Sequence, residues 1–256
     1  MGDIISNMWM YDNNVNPNIP YLFNTEIFEY DMKEGGFSLI REFKQLPKNK
    51  IDYLNSISTK NERKVQIGNY QREDPAFKKL HTESFATARK MFFIANDIKD
   101  DNQVIAIKKD AIMMNRRCRE TKVGDYINFR EKNKYTSYIR LSDKLEFYYN
   151  PHQLDIKGLS DDLYEKHQNG MIKFFNTFFK KMETDDEIHT IDFLRNFITD
   201  YKLYNLDLDY YRTFDYRSCF ITKKGDIFDE YWDEDKNDLD INYNFNIITK
   251  LCKVLI

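Results

Sequence analysis

An α+β fold, in which an antiparallel sheet is flanked by helices and followed by a C-terminal helical region, is predicted from three features. Short apolar segments with strand character occur at 27–31 and 103–114. Two long stretches with helical spacing of apolar residues separate them, and from about residue 159 the pattern is helical again. This order of strand, helices, hairpin, further strands and helices is typical of a mixed fold with an antiparallel sheet.

The helices between the two apolar segments are indicated by their start signals. Pro47 suits the start of a helix that reaches about residue 70 and is broken near 56–59. Asp74-Pro75 opens a second helix that continues to about residue 96, with apolar residues near helical spacing. We therefore expect this second helix to cover one face of the sheet.

Three regions are expected along the chain. Residues 1–26, rich in Asn and Pro, are predicted to be irregular. Residues 27–150 form a sheet domain that includes helices at 48–96. Residues 151–256 are predicted to be mostly helical, with an acidic loop at 226–240.

Composition restricts the class of protein. The chain has 256 residues, is 16% aromatic and contains only 8 Gly and 5 Pro, which disfavours a disordered or collagen-like chain. No apolar run approaches the roughly 20 residues that cross a bilayer, and the N-terminal residues lack signal-peptide features. Three scattered cysteines suit a reducing compartment. The sequence therefore predicts a cytoplasmic protein without a membrane partner.

The charge of the chain is distributed unevenly. The net charge is −3, but residues 108–144 hold eleven Lys or Arg against five Asp or Glu. A basic segment of this kind can contact a phosphate backbone. A solvated two-stranded surface is the alternative interpretation, and the sequence leaves both open.

Two carboxylates stand at the ends of predicted strands. Asp31 ends the first strand and Asp110 lies in the hairpin at 103–114. Two such carboxylates can hold a pair of Mg²⁺ or Mn²⁺ ions that clamp the attacking and leaving oxygens of phosphoryl transfer. A strand followed by Asp and a turn also occurs for purely local reasons, so a structural role for both remains the alternative.

Basic side chains near these carboxylates could bind an incoming triphosphate through charge-assisted hydrogen bonds. The candidates are Arg41, Arg63 and Lys64. The competing interpretation for each is a surface ion pair that contributes little.

The segment order resembles the palm and thumb of a family B DNA polymerase without its exonuclease and N-terminal domains. Asp31 followed by Phe37-Ser38-Leu39-Ile40-Arg41 is similar to the first palm motif, in which Asp precedes Ser-Leu-Tyr-Pro-Ser. Arg63 and Tyr70, seven residues apart, resemble the Lys and Tyr of the finger-helix motif. Lys108-Lys109-Asp110 lies where the family has Asp-Thr-Asp, so Asp110 corresponds to the second Asp.

Two further matches follow in the family's order. Lys132-Asn133-Lys134-Tyr135 resembles the Lys-Lys-Arg-Tyr motif, and Leu154–Gly158 resembles the short strand that leads into the thumb. The resemblance spans about residues 27–215 and depends on the order of five degenerate motifs. The chain also departs from the family: Lys108 replaces a hairpin carboxylate, Gly or Phe replaces the Tyr that gates the sugar, and the finger Asn is absent.

The resemblance implies template-dependent nucleotidyl transfer by a two-metal mechanism, with Asp31 and Asp110 as metal ligands and catalytic residues. Its implied substrate-binding residues are Arg41, Arg63, Lys64, Tyr70, Lys108 and Lys134. The implied partners are a DNA primer-template, nucleoside triphosphates and another polymerase subunit, in the host cytoplasm if the protein is viral. A non-catalytic nucleic-acid- or protein-binding protein and a metal-dependent nuclease are the alternatives.

Overall fold

The computed structural model describes residues 11–142, 144–158, 165–203, 205–211 and 237–255. Within them the chain has the predicted α+β fold with antiparallel sheets. It divides into two compact units: the residues up to Ile19 with Glu26–Lys134 form the first unit, and Pro20–Thr25 with the chain from Tyr135 forms the second. This division falls before residue 150, where the sequence predicted the end of the sheet domain.

Regular elements alternate along the described chain. The strands are β1 (Asn13–Val15), β2 (Tyr21–Leu22), β3 (Ile27–Met32), β4 (Val104–Lys108), β5 (Ala111–Met114), β6 (Phe129–Tyr135), β7 (Ser137–Arg140), β8 (Glu146–Asn150) and β9 (Gln153–Lys157). The helices are α1 (Gly35–Glu42), α2 (Lys48–Ser56), α3 (Lys60–Glu73), α4 (Pro75–Ala95), α5 (Glu165–Thr184), α6 (Glu187–Lys202) and α7 (Asn237–Leu255).

A five-stranded sheet with the order β1-β4-β5-β3-β6 is the centre of the first unit. The predicted antiparallel sheet of the segments 27–31 and 103–114 is confirmed, because β5 pairs antiparallel with both β3 and β4. Phe28, Tyr30 and Met32 alternate along β3 and pack with Phe85 and Phe92 of α4 in one buried cluster. The helix that begins at Pro75 therefore covers this face of the sheet, as its apolar spacing predicted.

Local capping explains where the two long helices of this unit begin. The Thr59 side chain caps α3 by accepting from the Glu62 amide, and its hydroxyl donates to the Glu62 carboxylate. The Asp74 side chain accepts from the first amides of α4. Pro75 occupies the first turn of α4, where its missing N–H costs nothing. The break between α2 and α3 lies at the predicted position.

The prediction that residues 1–26 are irregular is wrong for part of the described residues. Asn13–Val15 pairs with β4 and Tyr21–Leu22 pairs with β7. Two or three residues carry too little alternation to identify a strand, and the distant partner strand supplies their hydrogen bonds.

The second unit combines a four-stranded sheet, of order β2-β7-β8-β9, with helices α5, α6 and α7. Its core is aromatic: Phe147 stacks on Phe175 with ring centroids 4.0 Å apart, and Tyr149 stacks on Phe179 at 5.0 Å. These pairs join the sheet to the Phe-rich face of α5, so the aromatic stripe on that helix serves core packing.

The predicted acidic loop at 226–240 is only partly within the described residues. Residues 226–236 lie outside them, and residues 237–240 begin α7 instead of continuing a loop. Ile248 and Leu251 of this helix are fully buried. Burial of that apolar face stabilises a helix whose first residues have the composition of a loop.

Candidate functional site

The β4–β5 hairpin presents Asp110 at its tip. Lys109 adopts a left-handed conformation with φ of 53°, which a residue with a side chain adopts at a cost of about 1–2 kcal/mol. The fully buried Arg89 of α4 donates to the Lys109 carbonyl at 2.6 Å and pairs with Asp12 at 3.5 Å. This buried arginine holds a turn that lacks the glycine such turns favour.

Asp110 lines a cavity of about 360 Å³ within the first unit. We call this cavity the hairpin cleft. Its walls come from the start of α1, one face of α3, the middle of α4 and the hairpin tip. The lining residues are Glu34, Gly35, Gly36, Phe37, Lys60, Arg63, Lys64, Ile67, Gly68, Gln71, His81, Phe85, Lys109 and Asp110. The volume lies within the range of small-ligand sites.

The floor of the cleft is the N-terminus of α1. Glu34 adopts a left-handed conformation with φ of 50° and provides no side-chain cap. The amides of Phe37 and Ser38 donate to the Glu34 carbonyl, which leaves the Gly35 and Gly36 amides at the helix start. Uncapped amides at a helix N-terminus favour an anion.

Cationic groups outnumber anionic groups in this cleft, since Lys60, Arg63, Lys64 and Lys109 face two carboxylates. The Arg63 guanidinium is already engaged: it pairs with Glu34 at 2.5 Å and donates to the carbonyls of Leu54 and Ile57. It thereby fastens α3 to the start of α1.

Lys60 and Lys64 stand one helical turn apart on either side of Arg63 and are exposed. Neither ammonium has a hydrogen-bond or ion-pair partner among the residues that the structure describes. These two lysines are therefore the available cations on the α3 wall, and Lys109 adds a third from the hairpin.

His81 of α4 lies buried between Phe77 and Phe85, and its Nδ1 is 2.7 Å from Gln45 Oε1. Burial, reinforced by the nearby Lys109 ammonium, lowers the pKa of His81 to about 4. The ring is thus neutral at pH 7. With Gln45 Oε1 as the acceptor, the proton lies on Nδ1 and Nε2 carries a lone pair, while the amide nitrogen of Gln45 has no partner among the described residues.

Of the two predicted metal ligands, Asp31 lies on β3 and Asp110 lies in the turn between β4 and β5. Asp110 lines the hairpin cleft, and Asp31 does not. Asp31 is directly opposite Ala111, and the Met32 amide donates to the Asp110 carbonyl at 2.9 Å. The Asp31 carboxylate pairs with Arg130 of β6 at 3.2 Å. The Asp110 carboxylate has no hydrogen-bond or ion-pair partner within the described part of the chain.

The other predicted substrate-binding residues are spread over the first unit. The Arg41 guanidinium lies 3.8 Å from the ring centroid of Tyr126, and the Lys50 ammonium lies 4.4 Å from that of the buried Tyr70. Lys108 ends β4 opposite Ala111. None of Arg41, Tyr70, Lys108 and Lys134 lines the hairpin cleft.

Lys134 belongs to a ladder of ion pairs that joins β6 to β3 and to Glu26, the residue before β3. Arg130 pairs with Asp31, Lys132 with Glu29 at 3.4 Å, and Lys134 with Glu26. The basic segment at 108–144 is therefore partly neutralised by carboxylates of β3.

Sequence reasoning missed several residues of the cleft, namely Gly35, Gly36, Lys60, His81 and Lys109. The glycine pair between a strand and an apolar helix was a usable signal, because glycines there allow close approach of a ligand to the backbone. His81 carried no signal, since the four histidines of the chain are too widely spaced in the sequence to suggest a shared site.

Two features are absent from the part of the chain that the structure describes. No group of three or more His, Cys, Asp or Glu side chains there is arranged to hold a metal ion. No helix there combines the length and apolar character needed to cross a membrane.

The fold and the cleft define a two-unit α+β protein with a cationic site at a helix N-terminus. Residues 4–256 match the family described as Bacteriophage PBS1 gene 130 protein, and the chain belongs to this family of phage proteins. Comparison with curated proteins found no match.

Proposed function

We propose that this protein is a nucleotidyltransferase that holds a nucleoside triphosphate in the hairpin cleft. The observation that carries the proposal is the convergence on one cavity of a helix N-terminus with a carboxylate and two lysines, Asp110, Lys60 and Lys64, that have no partner among the described residues. Phosphoryl transfer depends mainly on positioning and charge neutralisation, and these are the groups that supply both.

The phosphates are assigned to the α1 end of the cleft. The Gly35 and Gly36 amides can donate to phosphate oxygens. The missing side chains make room for protein groups: Asp110 and Phe85 pack against Gly35, and the His81 ring packs against Gly36. Lys60, Lys64 and Lys109 neutralise the triphosphate charge from two sides. Arg63 holds the two walls together through Glu34.

Asp31 and Asp110 have the chemistry of divalent-cation ligands. Asp31 lies on β3 and pairs with Arg130, whereas Asp110 lies in the β4–β5 turn, lines the cleft and is unpartnered within the described chain. Mg²⁺ is often held by one or two protein carboxylates and substrate phosphates. When bound, Mg²⁺ or Mn²⁺ would supply Lewis-acid stabilisation of charge on the transferred phosphoryl group. Arg130, which is exposed, would release Asp31 for this role.

The chain's own residues perform three tasks in this mechanism. The lysines and glycine amides orient the triphosphate, Asp110 provides negative charge at the reacting end, and Arg89 holds the hairpin in register with β3. The expected partners are a DNA primer-template and another polymerase subunit, and the expected setting is the host cytoplasm, where nucleoside triphosphates and Mg²⁺ are abundant.

Primer extension with Mg²⁺ or Mn²⁺ tests the proposal. Asp110→Asn and Asp31→Asn should each reduce incorporation at least about a hundredfold while the fold is retained, because an amide oxygen is a much weaker cation ligand than a carboxylate. Lys108→Ala should have a milder effect, since an ammonium cannot ligate a cation. Asp52→Asn, at an exposed position of α2, is the matched control.

The alternatives predict other outcomes of the same assay. Metal-dependent cleavage without incorporation would identify a nuclease, and no reaction on DNA or RNA would favour a binding protein. If Arg130, Lys132 and Lys134 contact nucleic acid, its affinity should fall steeply with salt, because counterions are released on contact. Binding that is indifferent to salt would assign the β3–β6 ladder to ordinary surface chemistry.

A further inference from the structure

His81 Nε2 is a hydrogen-bond acceptor in the hairpin cleft to which the proposed phosphate site assigns no role. His81 is only 3% exposed, and its Nε2 faces Gly36: a Cβ placed on that glycine would lie 3.4 Å from Nε2. Within the described residues Nε2 has no hydrogen-bond partner. His81 lines the cleft, so a ligand bound there can donate to Nε2.

The tautomer of His81 is determined by Gln45. Gln45 Oε1 accepts from Nδ1, so Nε2 can only accept. Phe77 and Phe85 flank the ring with centroids at 5.4 Å and restrict its orientation. The acceptor is therefore held in place before a ligand binds, and no side chain at Gly36 blocks access to it.

The ligand must match two kinds of group that are close together. The α1 N-terminus and the lysines require an anion, whereas Nε2 is a lone pair that repels phosphate oxygens and requires a donor. A phosphorylated sugar carries both, since its phosphates are anionic and its hydroxyls donate. We propose that His81 Nε2 accepts a hydrogen bond from a ribose hydroxyl of the bound nucleotide, so that the cleft prefers nucleotides with that hydroxyl.

This inference rests on the proposed nucleotide site and identifies the sugar that the site selects. Loss of the hydroxyl would leave Nε2 without a donor in the complex. A site with a polar group dedicated to a hydroxyl discriminates strongly against an analogue that lacks it. We expect ATP to bind at least about tenfold more tightly than 2′,3′-dideoxy-ATP.

Isothermal titration calorimetry of the full chain with Mg²⁺ tests this preference. ATP, 2′-deoxy-ATP, 3′-deoxy-ATP and 2′,3′-dideoxy-ATP are titrated separately, so that the losses identify which hydroxyl is bound. His81→Phe retains a ring between Phe77 and Phe85 but removes the acceptor, and its ratio of ATP to dideoxy-ATP affinity should fall to about one. His81→Gln restores an amide oxygen and should recover part of the ratio.

The matched control is His152→Phe, the same change at an exposed histidine of the second unit. It should leave the affinity ratio unchanged. Equal affinity of the unsubstituted chain for ATP and dideoxy-ATP, or a ratio that survives in His81→Phe, would overturn the assignment of Nε2 and leave the triphosphate site standing. Failure of both nucleotides and of inorganic tripolyphosphate to bind would overturn the cleft as a nucleotide site, and the sugar preference with it.

Discussion

Protonation of His81 should make the first unit less stable in mild acid. The unfolded chain takes up a proton at a pKa near 6.5, whereas the folded chain resists it until pH is about 4. Between these values the unfolded state binds more protons, so stability falls as pH falls. The contribution is fully present above about pH 6.5 and is lost progressively toward pH 4.

The size of the effect follows from the two pKa values. One pKa unit corresponds to about 1.4 kcal/mol, so the shift limits the loss to about 3 kcal/mol below pH 4. Between pH 7.5 and pH 5 the loss from His81 alone is about 2 kcal/mol by the same linkage. The side chain is almost completely buried, so solvent screening reduces this value little.

The assay compares the unsubstituted chain with His81→Phe, which cannot take up the proton. Urea unfolding is followed at pH 7.5, 6 and 5 through the amide NMR signals of β3 and β5, which report on the unit that contains His81. The Asp, Glu and Lys groups around the ring, including Lys109 and Asp110, are common to both proteins. The difference between the two pH profiles therefore gives the contribution of His81 to the pH dependence of the free energy of unfolding.

Two results would refute this reasoning. Parallel pH profiles for the two proteins would show that His81 has the same pKa in the folded and unfolded chains. An NMR titration in which the His81 ring protonates near pH 6.5 would show directly that its surroundings do not disfavour the charge.

Two further substitutions test residues that hold the first unit together, and their effect on the free energy of unfolding is measured in urea. Arg89→Leu should destabilise the first unit by about 3 kcal/mol, because it leaves Asp12 and the Lys109 carbonyl without their partner. Arg89→Lys keeps the charge and should cost less; an equal cost would argue against a role for the charge. Tyr30→Phe should cost about 1–2 kcal/mol, because the buried amide of Cys118 donates to the Tyr30 hydroxyl at 2.7 Å. An unchanged midpoint for Tyr30→Phe would mean that water replaces this hydrogen bond.

The sequence by itself determined the elements that have strong local signals. The apolar periodicity of α4, its Asp74-Pro75 start and the flanking apolar strands were enough to predict a helix on an antiparallel sheet. The positions of Asp31 and Asp110 near strand ends followed from the same pattern, because the strand residues are apolar and the turn residues are polar. Short pairings such as Asn13–Val15 did not follow, because a distant strand provides their hydrogen bonds.

Only the tertiary structure decided which side chains meet in the hairpin cleft. Arg63 was a sequence candidate for phosphate, but the fold engages it with Glu34 and leaves Lys60 and Lys64 available. His81 was unremarkable in sequence and becomes a fixed acceptor because Gln45, 36 residues away, determines its tautomer. Partner choice and burial depend on residues far apart in the chain, and local patterns contain no information about them.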